Sequence, residues 1–390
     1  MTISMRGLSS DTRRTPVWGS PVAQCERAAS ELRFGRPVVL NSDSHTIAFI
    51  ALDAIGPLEL ERFRATASDR PALYLSRFRS DSLGLKNQCH GIAIPLDDMD
   101  LDRISSLAYA ARFSPPENWR PASPDLAIAA DLAHLSLLLP AIIFASIEAN
   151  ALEFRDCATL CANDLEKARS TATLCFSQIA RTSVPLSEVG ACEFIVFRGG
   201  MAQRDQIAII VGAPRMGGTV PVRIHSSCIT GDLLGSLKCD CGDQLHESLR
   251  TLAQLGGGVL LYLDQEGRGT GIAAKLRAYA SQGEGLDTID ADAELGFGPD
   301  ERSYGAAVAM LSSLGIRRVN LLTNNPAKVE YLTNYGIQVV MTTSITGKFQ
   351  AQNAKYLTTK AIRAGHTFPS EYLSSGEFHA GPRVKYYRKG

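Results

Sequence analysis

Three cysteines, Cys228, Cys239 and Cys241, fall within fourteen positions of a 390-residue chain. Thiolate sulfur suits zinc, and a Cys-x10-Cys-x-Cys spacing lets one tight turn return two ligands to a third at a strand end. Three protein ligands would leave a coordination position for water, as catalytic zinc sites do. His225 and His246 stand close enough in sequence to close that position as a fourth ligand. The same cysteines could instead be small buried hydrophobes or part of a structural finger. Further along, Gly267-Arg268-Gly269 is a loop that could bring backbone close to a phosphate or be a plain turn. Taken alone, Asp300-x-Arg302 reads as a surface ion pair, and Thr323-Asn-Asn-Pro326 as a strand-to-helix connection with an N-cap.

These residues need a scaffold, and the composition supplies one. With 45% hydrophobic and 21% charged residues the chain can bury sizeable cores. Its length exceeds the roughly 250–300 residues at which one core stops growing, so two domains are expected. Forty basic residues balance forty acidic ones, so no global charge favours nucleic acid or a membrane surface. Nine scattered cysteines, an odd number, point to reduced thiols or metal ligands rather than a disulfide framework. The most apolar run, 132–147, is shorter than the about 20 residues of a membrane span and contains His134 and Pro140, so it reads as core. Arg6, Arg13 and Arg14 have no apolar stretch behind them, which argues against a secretory signal and predicts a cytoplasmic location.

Periodicity gives the elements. Helical spacing covers 25–34, and strand-like runs cover 37–40 and 46–52. Four prolines interrupt 115–124, and a long helical region is expected over 156–179. Beyond it, strands are predicted at 193–197, 206–211, 220–225, 259–263 and 318–322. Helices are predicted at 242–255, 272–282 and 304–314, with another opening at Pro326. The pattern is α/β (α+β) in two domains: 21–181 and 182–368, flanked by a disordered tail at 1–20 and a basic tail at 369–390.

The string Arg223-Ile-His-Ser-Ser-Cys228-Ile-Thr-Gly-Asp, followed by Gly235-Ser-Leu-Lys-Cys-Asp-Cys-Gly-Asp-Gln244, resembles the zinc signature of GTP cyclohydrolase II. The likeness continues in the same order through Gln265-Glu266-Gly-Arg268, Lys275-Leu-Arg277-Ala-Tyr279, Asp287-Thr288, Asp300-Glu-Arg302 and Thr323-Asn-Asn-Pro-Ala-Lys328. It ends near Tyr356-Leu-Thr-Thr-Lys360 and His366. The resemblance implies a mixed sheet with flanking helices, and hydrolysis of GTP to a diaminopyrimidinone ribosylamino phosphate, formate and diphosphate, which opens riboflavin biosynthesis. It also implies a homodimer with one Zn2+ per subunit on Cys228, Cys239 and Cys241, and Mg2+ with the triphosphate. Substrate contacts would fall on Arg223, Ile224, His225, Ser226, Ser227, Gln244, Glu266, Gly267, Arg268, Thr288, Thr323 and Lys328, with Glu266 suited to the guanine amino and imino hydrogens. Tyr279 would assist ring opening. Arg302, with Asp300 two residues before it, would be either a nucleophile toward the α-phosphate or a phosphate clamp.

The chain departs from that pattern at Ser227, where a glutamate is usual, and at Asp264, Gly283, Asp292 and Ser303. A paralogue acting on another nucleotide or base, or a catalytically silent regulatory subunit, therefore stands beside the leading reading. The N-terminal half resembles dihydroxybutanone phosphate synthase at Glu31-Leu-Arg-Phe-Gly35-Arg36-Pro37, 48–51 and 71–75. The acidic loop of that family is reduced here to Asn41-Ser-Asp43-Ser-His45. One carboxylate cannot supply the several oxygens a hard cation needs, so this half is expected to be a degenerate synthase-like domain that serves packing or dimerisation.

Overall fold

The computed structural model describes residues 20–367 except 44, 68, 87, 111–112, 116, 173–174 and 202–204, so the expected tails at 1–20 and 369–390 lie outside the described residues but for Ser20, which caps the first helix. The first half contains α1 (Pro21–Arg33), β1 (Val38–Asn41), β2 (Thr46–Ala51), α2 (Pro57–Thr66), β3 (Ala72–Leu75), α3 (Arg77–Ser82), β4 (Ile92–Pro95) and α4 (Leu101–Tyr109). It continues through β5 (Arg120–Pro121), α5 (Pro124–Leu135), β6 (Ala141–Ser146), β7 (Ala158–Cys161) and α6 (Ala162–Ala172). Its seven strands form one sheet in the order β5-β4-β3-β6-β2-β1-β7. The apolar run at 132–147 lies in its core: Leu132, Ala133, Leu139 and residues 141–145 are buried.

The second half runs β8 (Phe176–Leu186), β9 (Gly190–Gly199), β10 (Gln206–Gly212), β11 (Thr219–Ser226), α7 (Cys241–Gln254), β12 (Gly257–Leu263), α8 (Ile272–Gly283) and α9 (Thr288–Glu294). Then come α10 (Gly305–Ser313), β13 (Arg318–Leu322), α11 (Pro326–Asn334), β14 (Gln338–Thr343) and α12 (Ala354–Ile362). Its sheet has the order β14-β13-β11-β12-β10-β9-β8, parallel from β14 to β12 and antiparallel beyond. β12 is apolar along almost its whole length and buried between covering layers, as a central parallel strand must be. α7 turns Leu249 and Leu252 into the core beneath the sheet.

One expected element is corrected. The helix predicted over 156–179 is in fact β7, then α6, then the start of β8. A short run such as Ala158-Thr-Leu-Cys161 cannot be told from helix by periodicity; what makes it a strand is its parallel pairing with β1, Leu160 opposite Leu40. β8 is largely exposed and pairs only with β9 in its sheet, so it shows no one-sided apolar pattern. Residue 182, expected at the domain boundary, falls inside this strand.

In a sheet with parallel strands, ligands collect outside the carboxyl ends of those strands. Here those ends deliver Ser226 to Cys228 from β11, Asp264 to Glu266 from β12, and Thr323 to Asn325 from β13.

Candidate active site

The chain leaves β11 at Ser226 and makes a single wide helical turn over Ile229–Leu233. It returns Cys239 and Cys241 to Cys228 as α7 begins. The three sulfurs lie within 4.8 Å of one another, with Cys228 Sγ 3.6 Å from Cys239 Sγ. A tetrahedral zinc with bonds of about 2.3 Å would separate its sulfurs by about 3.8 Å, close to the Cys228–Cys239 separation, so these thiols suit such an ion. The turn is tight enough to require glycine: a β-carbon on Gly231 would stand 2.9 Å from Cys239 Sγ and 3.0 Å from Cys228 Sγ. Gly231→Ala is therefore expected to spread the sulfurs and lower zinc affinity at least tenfold. A metal titration measures this, and unchanged zinc binding would contradict the packing argument.

Neither histidine completes the trio. His225 is buried with Nε2 at 3.1 Å from both oxygens of Asp232, and the half-exposed His246 pairs with Glu188 at 3.0 Å. Among the described residues, the three thiols alone form a group able to hold a metal. Asp232 organises the loop around them, accepting hydrogen bonds from the Cys228 backbone N–H at 3.0 Å and the Tyr262 hydroxyl at 2.9 Å.

An ammonium completes this arrangement. Lys275 Nζ lies 3.0 Å from Cys228 Sγ, 2.8 Å from Thr230 Oγ1 and 2.8 Å from Glu266 Oε1. Hydrogen bonds from the other two thiols, with Lys275 adding to them, push the Cys228 thiol far below its usual range, which favours the thiolate form that a metal needs. Glu266 is buried and also accepts from the Ile229 backbone N–H at 2.6 Å. Its carboxylate thus ties the thiol loop to the turn after β12. Tyr279, one helical turn beyond Lys275, faces the same recess. Burial first, then the neighbouring thiols, push its phenol up to about 12, so it remains a proton donor at neutral pH.

Beside the thiols lies a second recess crowded with cations. Arg223 is buried on β11, donating to Leu322 O at 3.0 Å and Gln244 Oε1 at 2.7 Å, and its Nε has no partner. Lys328 on α11 donates to Ile224 O at 2.8 Å. Burial, then the charges of Arg223 and Arg302, push Lys328 well below the normal lysine range, and burial lowers Arg223 to about 10. His366 is driven to about 3 by burial and then by Lys360, Arg302, Lys328 and Arg268. Cations gathered at such a cost to one another call for an anion. His225 Nδ1 and Ser226 Oγ at the same place are buried without partners.

Arg302 joins the two recesses, since it lines both, as does Tyr356. Its Nε and one terminal nitrogen hold Asp300 in a two-point grip at 2.8 and 2.6 Å. Although burial opposes its charge, Tyr304 and Asp300 hold the guanidinium above its ordinary range. Arg268, at φ 65°, donates to Pro299 O and lies 3.3 Å from Asp292. Asp292 is buried and, chiefly for that reason, raised to about 7; Arg268 works against that shift, so the carboxylate is its counter-charge only when ionised. Ser227 accepts the Gln265 backbone N–H at 3.1 Å, using its hydroxyl within the turn. Thr288 lines the thiol recess and Thr323 the cationic one. Ile224 contributes its carbonyl, its side chain being in the core.

Lys275, Tyr356 and Lys360 were not among the expected site residues. All three stand in motifs quoted above, and both Lys275/Tyr279 and Tyr356/Lys360 have the i, i+4 spacing that places side chains on one helix face. Lys360 reaches Asp240 at 3.0 Å.

A thiol trio able to hold a metal ion, beside a buried recess lined with cations, marks the class of protein as one with a candidate metal centre. A family model described as GTP cyclohydrolase II matches residues 177–344. The chain is 51% identical over 365 residues to GTP cyclohydrolase-2 of Xylella fastidiosa, covering 93% of this chain and 92% of that protein. It is 36% identical to GTP cyclohydrolase-2 of Azospirillum brasilense, over 90% of this chain and 96% of that one. A solved two-domain 3,4-dihydroxy-2-butanone 4-phosphate synthase, RibBX from A. baumannii, covers 83% of this chain and is itself covered over 99%, at 18% identity and a TM-score of 0.30. This chain belongs to the GTP cyclohydrolase II family.

Proposed function

We propose that this chain hydrolyses GTP to a diaminopyrimidinone ribosylamino phosphate, formate and diphosphate, as the entry step of riboflavin biosynthesis, with one Zn2+ per subunit. The observation that carries the reading is the junction of the two recesses at Arg302, with thiols on one side and cations on the other. Cys228, Cys239 and Cys241 would hold the zinc, which would supply Lewis acidity and a water of lowered pKa to a hydrolytic reaction.

The protein's own groups do the rest. Arg223, Lys328, Arg268 and Arg302 receive the phosphates, with Mg2+ accompanying the triphosphate, and the anion offsets the loss of hydration and the like-charge repulsion borne by Arg223 and Lys328. His225 Nδ1 and Ser226 Oγ, together with Gln244, Thr288 and Thr323, supply polar contacts to the nucleotide. Glu266, already engaged by Lys275, sets the thiol loop and presents its edge to the guanine. Tyr279 donates a proton as the ring opens. Arg302 clamps phosphate: a guanidinium held this firmly protonated is a poor nucleophile but a good fork for phosphate oxygens.

Incubation of the purified chain with GTP, zinc and magnesium is expected to release formate and diphosphate in equal amounts, read by product mass spectrometry. Absence of both removes the reading. The loop 41–45 of the first half carries a single carboxylate, Asp43, fewer oxygens than a hard cation needs, so this half is read as a degenerate synthase-like domain and ribulose phosphate is expected to pass unchanged. A cytoplasmic homodimer is the setting proposed; among the described residues no helix is long and apolar enough to cross a membrane.

A further inference from the structure

We propose that the N-terminal half is a positioning device for the phosphate-binding arginines, holding the two loops that carry Arg268 and Arg302; this rests on the nucleotide reading of that site. The first loop, Glu266–Gly271, follows β12, and the second, 296–302, follows α9. Neither is regular, and the two lean on each other. The Glu301 backbone N–H donates to Arg268 O at 3.2 Å, and a β-carbon on Gly269 would meet Glu301 O at 2.7 Å. Of the consecutive residues at φ 65°, 65° and 96° (Gly267, Arg268, Gly269), the two glycines adopt the left-handed region freely, whereas Arg268 does so at a cost that its surroundings must offset.

The N-terminal half holds both loops from outside. At the end of α5, His134 Nε2 lies 3.2 Å from Gly269 O; a carbonyl can only accept, so Nε2 carries the hydrogen. The same ring packs edge-on against Phe297 at 5.1 Å, and Leu137 covers Gly271. Ser76 Oγ donates to Gly296 O at 2.6 Å, both groups buried, and a β-carbon on Gly298 would strike the Phe78 ring at 2.9 Å. Behind the loops, Arg79 is 1% exposed and grips Glu294 at the end of α9 while donating to Leu107 O and Ala110 O of its own half. Asp53 pairs with Arg277 of α8 at 2.6 Å. Leu139 completes an apolar core whose other buried members, Ala274, Ala278, Ala291, Leu295 and Phe297, all come from the cyclohydrolase half.

The contacts concentrate on the two arginine loops and the helices beneath them, and they touch none of the three thiols. The effect they predict is therefore selective. A displacement of about 1 Å in a positioning group costs on the order of a hundredfold in rate, whereas the three thiols all lie on residues 228–241 and meet the first loop only through Glu266 and Lys275, so zinc binding is expected to change far less.

The test uses the full chain with His134→Ala, His134→Gln and Ser76→Ala. It reads zinc content, melting temperature, kcat and KM for GTP, and the affinity for tripolyphosphate by calorimetry. The expected result is a roughly tenfold or greater loss of tripolyphosphate affinity, and a matching rise in KM, in both alanine variants. Zinc stays at one per chain, and His134→Gln, which keeps an N–H donor, recovers most of the affinity. Tripolyphosphate binding unchanged in both alanine variants overturns the proposal. So does a loss that follows zinc or melting temperature and is not recovered by glutamine, and so does an unmodified chain that binds no tripolyphosphate. If the unmodified chain binds tripolyphosphate in a His134-dependent way but does not turn over GTP, the substrate reading fails and the positioning role stands.

Discussion

Cys239→Ser is expected to strip the centre of zinc and to lower formate release from GTP by a factor on the order of 10³ or more, while leaving the far-ultraviolet circular dichroism unchanged. The magnitude follows from what the metal supplies. Free water has a pKa near 15.7, against about 7 on zinc, so without the ion almost no hydroxide is available at neutral pH. Serine would also replace a soft sulfur with a poor ligand in a trio whose sulfurs already stand at zinc-like separation. The fold should survive, because the cores of the second half are built from residues other than this thiol. Elemental analysis with a formate assay on the same sample decides it. Retained zinc, or formate at the parent rate, would show that the thiols are structural.

The second large effect is expected at Arg302. As a clamp it should tolerate lysine poorly, since an ammonium keeps the charge but cannot grip Asp300 at two points and still offer a planar fork to phosphate. Arg302→Lys is expected to lower kcat/KM for GTP by on the order of 10²–10³, and Arg302→Ala by more, with zinc content unchanged in both. Rapid quenching of the unmodified enzyme, followed by intact-protein mass spectrometry, should show no nucleotide adduct. A guanylylated protein whose modification maps to Arg302 would replace the clamp with covalent catalysis.

Much of the second half was legible as sequence, because its elements announce themselves locally. β12 is a continuous apolar run, and α7 repeats leucine at helical spacing. The grouping of the three thiols was legible for a similar reason, since Cys228, Cys239 and Cys241 stand close together in the chain. The stretch 156–179 was misread because what distinguishes its parts is remote: Leu160 becomes a strand residue by meeting Leu40, and β8 is an exposed edge. Lys275, Tyr356 and Lys360 were visible in the motifs, but their standing comes from what they face, Cys228 and Asp240 among them. No local signal marks His134 or Ser76 as neighbours of the site, because their partners lie 135 and 220 positions further along.

Arg268 occupies a backbone conformation, φ 65°, that an L-residue adopts at a cost of about 1–2 kcal/mol and a glycine adopts freely. Glycine there would make the loop more comfortable and the protein somewhat more stable, yet on the proposed function it would remove a cation from the place where phosphate is received. A search for more heat-resistant variants should therefore leave this residue alone.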